Sequence, residues 1–286
     1  MSANQWKTRI LQAGAFRLDG GSMFGIIPRA IWQKWSEPDQ ANRIDLQCNV
    51  VLLEDGEHRV LVECGYGEKW SEKDRSIFAM QDRTVIDALE EAEVSGEQIT
   101  HVLLTHLHFD HAGALTRWSD AEAGDEGGFV PGFPNARILV QKTEWEDACS
   151  NRSTMTRTYL SSHLKPIADR VVTLEGECEP LPGIRVGPMP GHTWGQQAVS
   201  WSDTGRDYVF PGDVCPTRAH VHPSASMAYD VEPWTNMKHK VELLRTCHEQ
   251  GRHLILGHEP HEPLVRVVED EERRGAFALE SVAAAK

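Results

Sequence analysis

The sequence predicts an α+β fold in which mixed β-sheets are covered by helices. Its 286 residues, 40% hydrophobic and 25% charged, have the composition of a globular chain that can bury a large core. Short β-branched and aliphatic runs come in pairs followed by helical segments, rather than in strict alternation with them. This order favours mixed sheets over a doubly wound parallel sheet. We therefore expect a single domain spanning residues 1–286.

The predicted strands are short runs rich in β-branched or aliphatic residues and bounded by Gly, Pro, Asp or Asn. In chain order they are WKTRIL, AFRLD, NVVLLE, HRVLVE, HVLLT, ARILVQ, RVVTLE, GIRVG, QAVSWS, DYVFP and HLILG.

Two segments have the periodicity of amphipathic helices. In TVIDALEEAEV, Thr84 and Asp87 have the spacing of a capping box, and WTNMKHKVELLRTCHEQG ends at Gly251, a typical helix stop. Weaker patterns predict further helices over KTEWEDACS and RTYLSSHL.

Three segments are expected to lie outside the regular elements. Residues 20–38 carry many large apolar side chains and predict an apolar flap, which either fills the core or lines a substrate cleft or a subunit contact. Residues 117–135, rich in Gly, Pro and acidic residues, predict a long exposed loop. After Val268 we expect a weakly structured tail, either a loose helix or partly disordered.

The charge balance argues against polyanionic partners. The chain has 43 acidic and 29 basic residues, a formal charge of −14, and no Lys/Arg cluster that would bind phosphates. No apolar run approaches the ~18 residues of a membrane span, and the beginning, MSANQWKTRI, lacks the apolar core of a signal peptide. We predict a cytoplasmic protein that binds neither nucleic acid nor membrane.

The six cysteines are scattered and form no CxxC pair, which argues against a thiolate zinc site and against a disulfide framework. A metal in this protein would therefore be held by imidazole and carboxylate groups. These ligands favour zinc, with manganese, iron or cobalt as alternatives.

The stretch THLHFDHAG places four such ligands directly after the apolar run HVLLT. His106 and His108 are two residues apart, a spacing that does not share a helix face but can converge from a loop, and Asp110 and His111 follow them. Imidazole nitrogen and carboxylate oxygen both bind divalent metals at ~2.0–2.2 Å. This cluster predicts a metal site at a strand end.

Three further ligand candidates each follow a strand-like or glycine-bounded stretch. They are His192 in MPGHTWG, Asp213 in FPGDVC and His258 in ILGHEP. Seven ligands exceed the needs of one tetrahedral zinc ion and match two metal ions that share a carboxylate.

In this order the motifs HLHFDHAG, GHT, GD and GH resemble the metallo-β-lactamase-fold superfamily and its HxHxDH signature. The chain is also similar to the YtnP-type quorum-quenching lactonases over most of residues 6–262. That similarity is carried by LDGGSMFGIIPRAIW, THLHFDHAGAL, FPNA and PTRAHVHPSASMAYD. It implies a four-layer αββα sandwich with the metals at one edge of the two sheets, and hydrolysis of N-acyl homoserine lactones.

The resemblance also implies roles for the ligands. His106, His108 and His192 would hold the first metal, Asp110, His111 and His258 the second, and Asp213 would bridge them. A metal-bridging hydroxide would attack the lactone, with Asp110 and Asp213 as the catalytic carboxylates and Asp110 moving a proton to the leaving group. It also makes a homodimer an option.

Some positions depart from the family pattern. Pro216 stands where many relatives have tyrosine, and Gln196, Glu63 and Cys64 replace residues around the ligands. His220 and His222 fall in a segment near the pocket rather than in a ligand motif, which leaves substrate contact or loop packing open for them. The candidate substrate-binding residues are Met23, Phe24, Ile26, His220 and Tyr229.

Other activities remain open at the same site. An arylesterase, a phosphotriesterase or a β-lactamase would use the same hydroxide on another substrate. An iron oxidoreductase is a further alternative. His108 stands where diiron reductases have glutamate, which weakens this interpretation, although the persulfide dioxygenases retain the motif and use fewer ligands. Nuclease activity is disfavoured by the acidic charge, and a sensor with a structural metal would require a closed coordination sphere.

Overall fold

The structure is a computed structural model that describes residues 6–119, 128–153, 155 and 157–282. Its strands, numbered in chain order, are β1 (Lys7–Asp19), β2 (Arg43–Glu54), β3 (Arg59–Val62), β4 (His101–Leu103), β5 (Thr116–Trp118), β6 (Phe129–Pro131), β7 (Arg137–Gln141), β8 (Val171–Leu174), β9 (Cys178–Leu181), β10 (Ile184–Pro188), β11 (Gln197–Asp203), β12 (Arg206–Phe210), β13 (His253–Ile255), β14 (Leu264–Glu269) and β15 (Phe277–Ser281).

The α-helices and the 3₁₀ turns lie between these strands. The helices are α1 (Gly20–Phe24), α2 (Arg29–Trp32), α3 (Glu72–Ile77), α4 (Val85–Glu91), α5 (Phe109–Ala112), α6 (Lys142–Cys149), α7 (Ser161–Leu164) and α8 (Pro233–Gln250). Short 3₁₀ turns occur at Gly96–Gln98, Gly113–Leu115, Lys165–Arg170, Gly212–Val214 and Arg218–Val221.

A six-stranded sheet has the order β1-β2-β3-β4-β7-β8. Strands β2 and β3 are antiparallel, whereas β3, β4, β7 and β8 run parallel to one another. Val62 at the end of β3 pairs with Leu103 at the end of β4. Because parallel strands end at the same edge of a sheet, the segments that follow β3 and β4 lie side by side.

A seven-stranded sheet has the order β15-β14-β13-β12-β11-β10-β9, and its one parallel pair in the described chain is β12 with β13. Helix α8 packs on this sheet through a buried cluster that includes Leu243, Leu244, Leu254 and Val265. The carboxyl ends of β12 and β13 lead into Asp213 and His258. The predicted mixed sheets with helices are therefore confirmed.

The helix boundary signals are confirmed. The Thr84 side chain and the Asp87 carboxylate form the capping box at the start of α4. Helix α8 ends at Gly251, which has φ of 65° in the left-handed region, where glycine is favoured. The helix predicted over RTYLSSHL is shorter than expected: α7 covers only Ser161–Leu164.

The first strand is one continuous element, whereas the sequence predicts two. Gly14 interrupts the apolar pattern, but it lies inside β1 with φ of 126°. A Cβ atom at this position would lie 2.3 Å from the Tyr66 hydroxyl and 2.6 Å from the Arg83 carbonyl oxygen. Glycine therefore allows close approach here and does not end the strand.

The expectations for two irregular segments are wrong in part. The ends of the predicted loop 117–135 form a two-stranded sheet, in which Arg117 pairs with Val130, while residues 120–127 lie outside the described residues. The tail after Val268 is not weakly structured throughout, because β15 pairs with β14. Phe277 and Leu279 on β15 pack against the same apolar cluster as α8, and this burial stabilises the strand.

The backbone contacts divide the chain into two compact units. One comprises Arg17–Gln47 and the chain from Gly176 onward, and the other comprises Trp6–Phe16 and Cys48–Glu175. A single domain over residues 1–286 stays a prediction. Among the residues that the structure describes, none of the helices combines the length and the hydrophobicity of a transmembrane span. The six cysteines are thiols, as predicted.

Candidate metal centre

Four predicted ligands converge in the loop between β4 and α5. Leu103 ends β4, and His108 caps the N-terminus of α5, so Asp110 and His111 lie in the first turn of this helix. The ring of His106 lies 4.6 Å from the ring of His108 and 4.0 Å from that of His111, measured between centroids. All four side chains are buried.

Glu63 holds this loop from the segment that follows β3. One carboxylate oxygen accepts a hydrogen bond from the Thr105 backbone N–H at 2.8 Å, and the other lies 3.1 Å from His111 Nδ1. A carboxylate only accepts, so it favours the His111 tautomer with a proton on Nδ1 and a lone pair on Nε2. Glu63 adopts φ of 67°, uncommon for a residue other than glycine.

Backbone hydrogen bonds fix the same loop. The Cys64 N–H donates to the His111 carbonyl at 3.0 Å, and the Gly113 N–H donates to the Gly65 carbonyl at 2.8 Å. The partly buried Lys69 ammonium donates to the Gly113 carbonyl at 2.6 Å, and burial lowers the pKa of this group to about 8. The ligand loop is thus tied at both ends of α5.

The other three predicted ligands form a second buried group. One oxygen of Asp213 lies 3.3 Å from His192 Nε2, and its other oxygen lies 3.3 Å from His258 Nε2. Asp213 lies in the 3₁₀ turn that follows β12, and His258 follows β13. Two imidazoles therefore face one carboxylate, the arrangement expected around a shared ligand.

The far side of each of these rings is also held. His192 Nδ1 lies 2.8 Å from an Asp230 oxygen, and His258 Nδ1 lies 3.0 Å from the Gln47 carbonyl oxygen. Both partners only accept hydrogen bonds, so each Nδ1 donates, and Nε2, which faces Asp213, is the nitrogen left for a metal ion. Gln196 positions Asp213 by accepting its backbone N–H at 3.1 Å.

The predicted ligands offer only imidazole nitrogens and carboxylate oxygens. In the loop around α5, the ligand atom of His106 lies within 4.8 Å of those of His108 and His111, and the ligand atom of Asp110 lies within 4.8 Å of that of His111. The donor set therefore fits a divalent ion of the zinc class.

Of the candidate substrate-binding residues, Met23 and Phe24 are buried in α1, and Ile26 is 84% exposed. The His220 ring is buried and stacks on Phe24, with Nε2 at 2.9 Å from the Met23 carbonyl and Nδ1 at 2.8 Å from the Thr217 hydroxyl. These contacts favour loop packing, one of the two options open for His220. Substrate contact by the other residues stays a prediction.

Cys215, two residues beyond Asp213, is an inert buried thiol. Its sulfur donates to the Thr217 carbonyl, and burial raises its pKa to about 11. The thiol therefore stays protonated at neutral pH and is a poor metal ligand.

Three residues that contact the ligands or their loop are not predicted from the sequence: Asp230, Glu144 and Tyr159. Asp230 follows Tyr229 in the segment MAYD, in which only the tyrosine is a predicted site residue. Glu144 accepts the Leu107 N–H at 2.9 Å and the Tyr159 hydroxyl at 3.0 Å, and the Tyr159 ring lies 5.2 Å from that of His108. The signal that could have pointed to Glu144 is an acidic residue inside the predicted helix KTEWEDACS.

The chain matches a known protein family and several curated relatives. The Metallo-beta-lactamase superfamily matches residues 43–258. An N-acyl homoserine lactonase of Bacillus sp is 26% identical over 168 residues, which cover 54% of this chain and 58% of that protein. One of Bacillus thuringiensis is 29% identical over 119 residues, 42% of this chain and 39% of that protein. The chain spans about half the length of the curated relatives it matches.

Solved structures share the fold. A probable metal-dependent hydrolase from Staphylococcus aureus superposes with a TM-score of 0.85 at 26% identity, covering 99% of this chain and 100% of that one. AidC, a dizinc quorum-quenching lactonase with a bound product, gives a TM-score of 0.78 at 17% identity, covering 100% and 97%. The predicted fold class, α+β with this family's architecture, is confirmed.

Proposed function

We propose that the chain, which belongs to the metallo-β-lactamase superfamily, is a metal-dependent hydrolase. Its substrates in this proposal are N-acyl homoserine lactones, whose lactone ring it opens. The observation that carries the proposal is the set of seven buried imidazole and carboxylate ligands, four in the loop around α5 and three around Asp213. The relatives named as N-acyl homoserine lactonases support the choice of an ester bond in a lactone.

Each ligand has a role in this proposal. His106, His108 and His192 would hold one divalent ion, Asp110, His111 and His258 would hold the other, and Asp213 would be shared by the two. The position of Asp213 between His192 and His258 supports the bridging role. Zinc is the first choice of metal, with manganese, iron and cobalt as alternatives.

When bound, the two ions would supply a Lewis acid for the lactone carbonyl and a water whose pKa is lowered towards neutrality. The protein's own side chains orient the substrate and transfer protons. Asp110 is the carboxylate we assign to proton transfer to the leaving ring oxygen, because it is buried in the ligand loop next to His111. The buried surroundings exclude bulk water and strengthen these interactions.

The apolar part of the substrate has a matching surface beside the ligand loop. Phe109, between His108 and Asp110, packs against Trp70 and Phe78 with ring centroids 5.1 and 5.5 Å away. All three aromatic rings are partly exposed. An acyl chain laid on these rings would remove apolar area from water, which contributes about 25 cal/mol per Å².

The experiment compares hydrolysis of four substrate types by the same protein. The protein is stripped with a chelator, reloaded with zinc or manganese, and assayed by pH-stat on N-acyl homoserine lactones of increasing chain length, an aryl ester, paraoxon and a cephalosporin. We expect lactone opening only after reloading, and its loss in the double variant His106→Ala, His108→Ala. His248→Ala, on α8, is the matched control and should keep full activity. A reloaded protein that opens no lactone would defeat the proposal in favour of another ester substrate.

A further inference from the structure

We infer that Asp230 is a positioning residue for the metal centre, because its carboxylate fixes the tautomer and orientation of His192. The inference rests on the proposed function insofar as it takes His192 to be a metal ligand. It assigns a role to a residue outside the HxHxDH, GHT, GD and GH motifs.

The Asp230–His192 contact is short and fully buried. The Asp230 oxygen lies 2.8 Å from His192 Nδ1, and the side chains are 0% and 2% exposed. Water cannot compete for this hydrogen bond, so Nδ1 keeps its proton. His192 Nε2 faces Asp213 at 3.3 Å. The proton on Nδ1 therefore leaves Nε2 as the nitrogen that binds the metal ion.

Asp230 is itself held rigidly. Its second oxygen accepts hydrogen bonds from Asn236 Nδ2 at 2.8 Å and from the Met227 N–H at 3.2 Å. Asn236 belongs to the first turns of α8, so the carboxylate is tied both to the helix and to its own loop. A carboxylate with three fixed donors has one orientation, and it transfers that orientation to the imidazole ring.

The loop that carries Asp230 joins the His192 loop through the backbone. The Val231 N–H donates to the His192 carbonyl at 3.3 Å, and the Glu232 N–H donates to the Gly191 carbonyl at 2.8 Å. The space beside Gly191 is closed, since a Cβ there would lie 2.5 Å from the Asn236 nitrogen. The two loops and the start of α8 therefore form one packed unit behind the His192 ring.

The other anchored histidines show why this contact stands out. The Nδ1 atoms of His106 and His258 meet neutral acceptors, the Thr105 hydroxyl and the Gln47 carbonyl. In contrast, His192 and His111 meet carboxylates, from Asp230 and Glu63. A negative partner raises the basicity of the ring and strengthens its bond to a metal more than a neutral one does.

The test measures zinc affinity in Asp230→Asn and Asp230→Ala. Each full-length variant is loaded with zinc and titrated with a chelating chromophore. We expect the wild-type protein to release two ions, and the Ala variant to release one of them at about 10- to 100-fold weaker affinity. Asp230→Asn should have a smaller effect, since its amide oxygen still accepts the Nδ1 proton, and Asp230→Glu should restore part of the loss.

Two further variants separate positioning from general destabilisation. Asp39→Asn removes a carboxylate that accepts from Arg17 and Arg43 in the same compact unit, so it should lower stability without changing zinc affinity. Glu63→Gln removes the carboxylate behind His111 and should also weaken a single ion. Long-range ¹H–¹⁵N spectra of the zinc-loaded protein should show His192 with its proton on Nδ1, and this tautomer is lost in Asp230→Ala.

Unchanged zinc affinity and an unchanged His192 tautomer in Asp230→Ala would overturn the inference, as would an equal loss of affinity in Asp39→Asn. The proposed function fails separately. A wild-type protein that binds two zinc ions, loses one with Asp230→Ala and opens no lactone would retain the inference and lose the substrate. A wild-type protein that binds no zinc would lose both.

Discussion

At the scale of single residues, the chemistry of this protein depends on which nitrogen of each histidine carries a proton. Glu63, Asp230 and the Gln47 carbonyl each accept a hydrogen bond from Nδ1–H of one ligand histidine. These hydrogen bonds orient the rings and leave Nε2 as the nitrogen that binds a metal ion. Preorganised rings lose little entropy on binding, which favours tight metal sites.

The Gln196 side chain should be needed for stability. It is fully buried, accepts the Asp213 N–H at 3.1 Å and donates to the Met189 carbonyl at 3.3 Å. Gln196→Ala leaves both backbone groups without these hydrogen bonds, which should lower the free energy of unfolding by about 1–3 kcal/mol. Urea denaturation measures this loss. The exposed Gln33→Ala is the control and should change stability by less than about 0.5 kcal/mol; equal effects would contradict the role of Gln196.

His163 should make stability depend on pH. Burial, together with the nearby Lys69 charge, lowers its pKa to about 3. The unfolded chain, with a histidine pKa near 6.5, then binds the proton more tightly, so this stability is complete above pH ~6.5 and is lost as pH falls towards 3. Between pH 7 and pH 5 the wild-type protein should lose about 2 kcal/mol through this group. His163→Leu should lose that much less in urea denaturation, and parallel profiles would contradict the assignment.

At the scale of elements, the metal ligands belong to short turns that are held by neighbouring strand ends. The segment after β3 carries Glu63, Cys64 and Gly65, and each of them bonds to the loop around α5. A four-residue helix has little stability of its own. The position of Asp110 and His111 therefore comes from these tertiary bonds rather than from helix propensity.

Gly113 tests this dependence on close packing. A Cβ at Gly113 would lie 2.1 Å from the Tyr66 carbonyl carbon and oxygen, so the backbone after α5 must shift to accept alanine. We expect Gly113→Ala to weaken zinc binding at least 10-fold, because the displaced helix carries two ligands. Gly187→Ala is the control, since a Cβ there meets nothing within 4 Å. Chelator competition on both variants measures the effect, and equal affinities would show that the turn tolerates displacement.

Several elements are predictable from the sequence because their signals are local. The capping box of α4, the glycine that ends α8 and the ligands directly after apolar strands all lie within a few neighbouring residues. Strand β15 is missed because its apolar pattern follows an acidic turn and becomes stable only by pairing with β14. Asp230 is missed because its partner His192 lies 38 residues away along the chain.

At the scale of the whole molecule, metal binding and folding stability should be linked. Ligands that bind the native state and not the unfolded chain stabilise it by mass action, by about 2.7 kcal/mol per site at a free concentration 100-fold above Kd. Removing zinc with a chelator should therefore lower the melting temperature, and adding zinc should restore it. The variant His106→Ala, His108→Ala should show a much smaller shift. An equal shift in both proteins would indicate non-specific zinc binding.

Anomalous diffraction at the zinc edge, on crystals of the zinc-loaded protein, shows whether these seven side chains hold two divalent ions side by side. We expect two anomalous peaks, one bonded to His106, His108 and His192, the other to Asp110, His111 and His258, with Asp213 bonded to both. A map without peaks among these side chains, or with zinc bound only elsewhere, would contradict it.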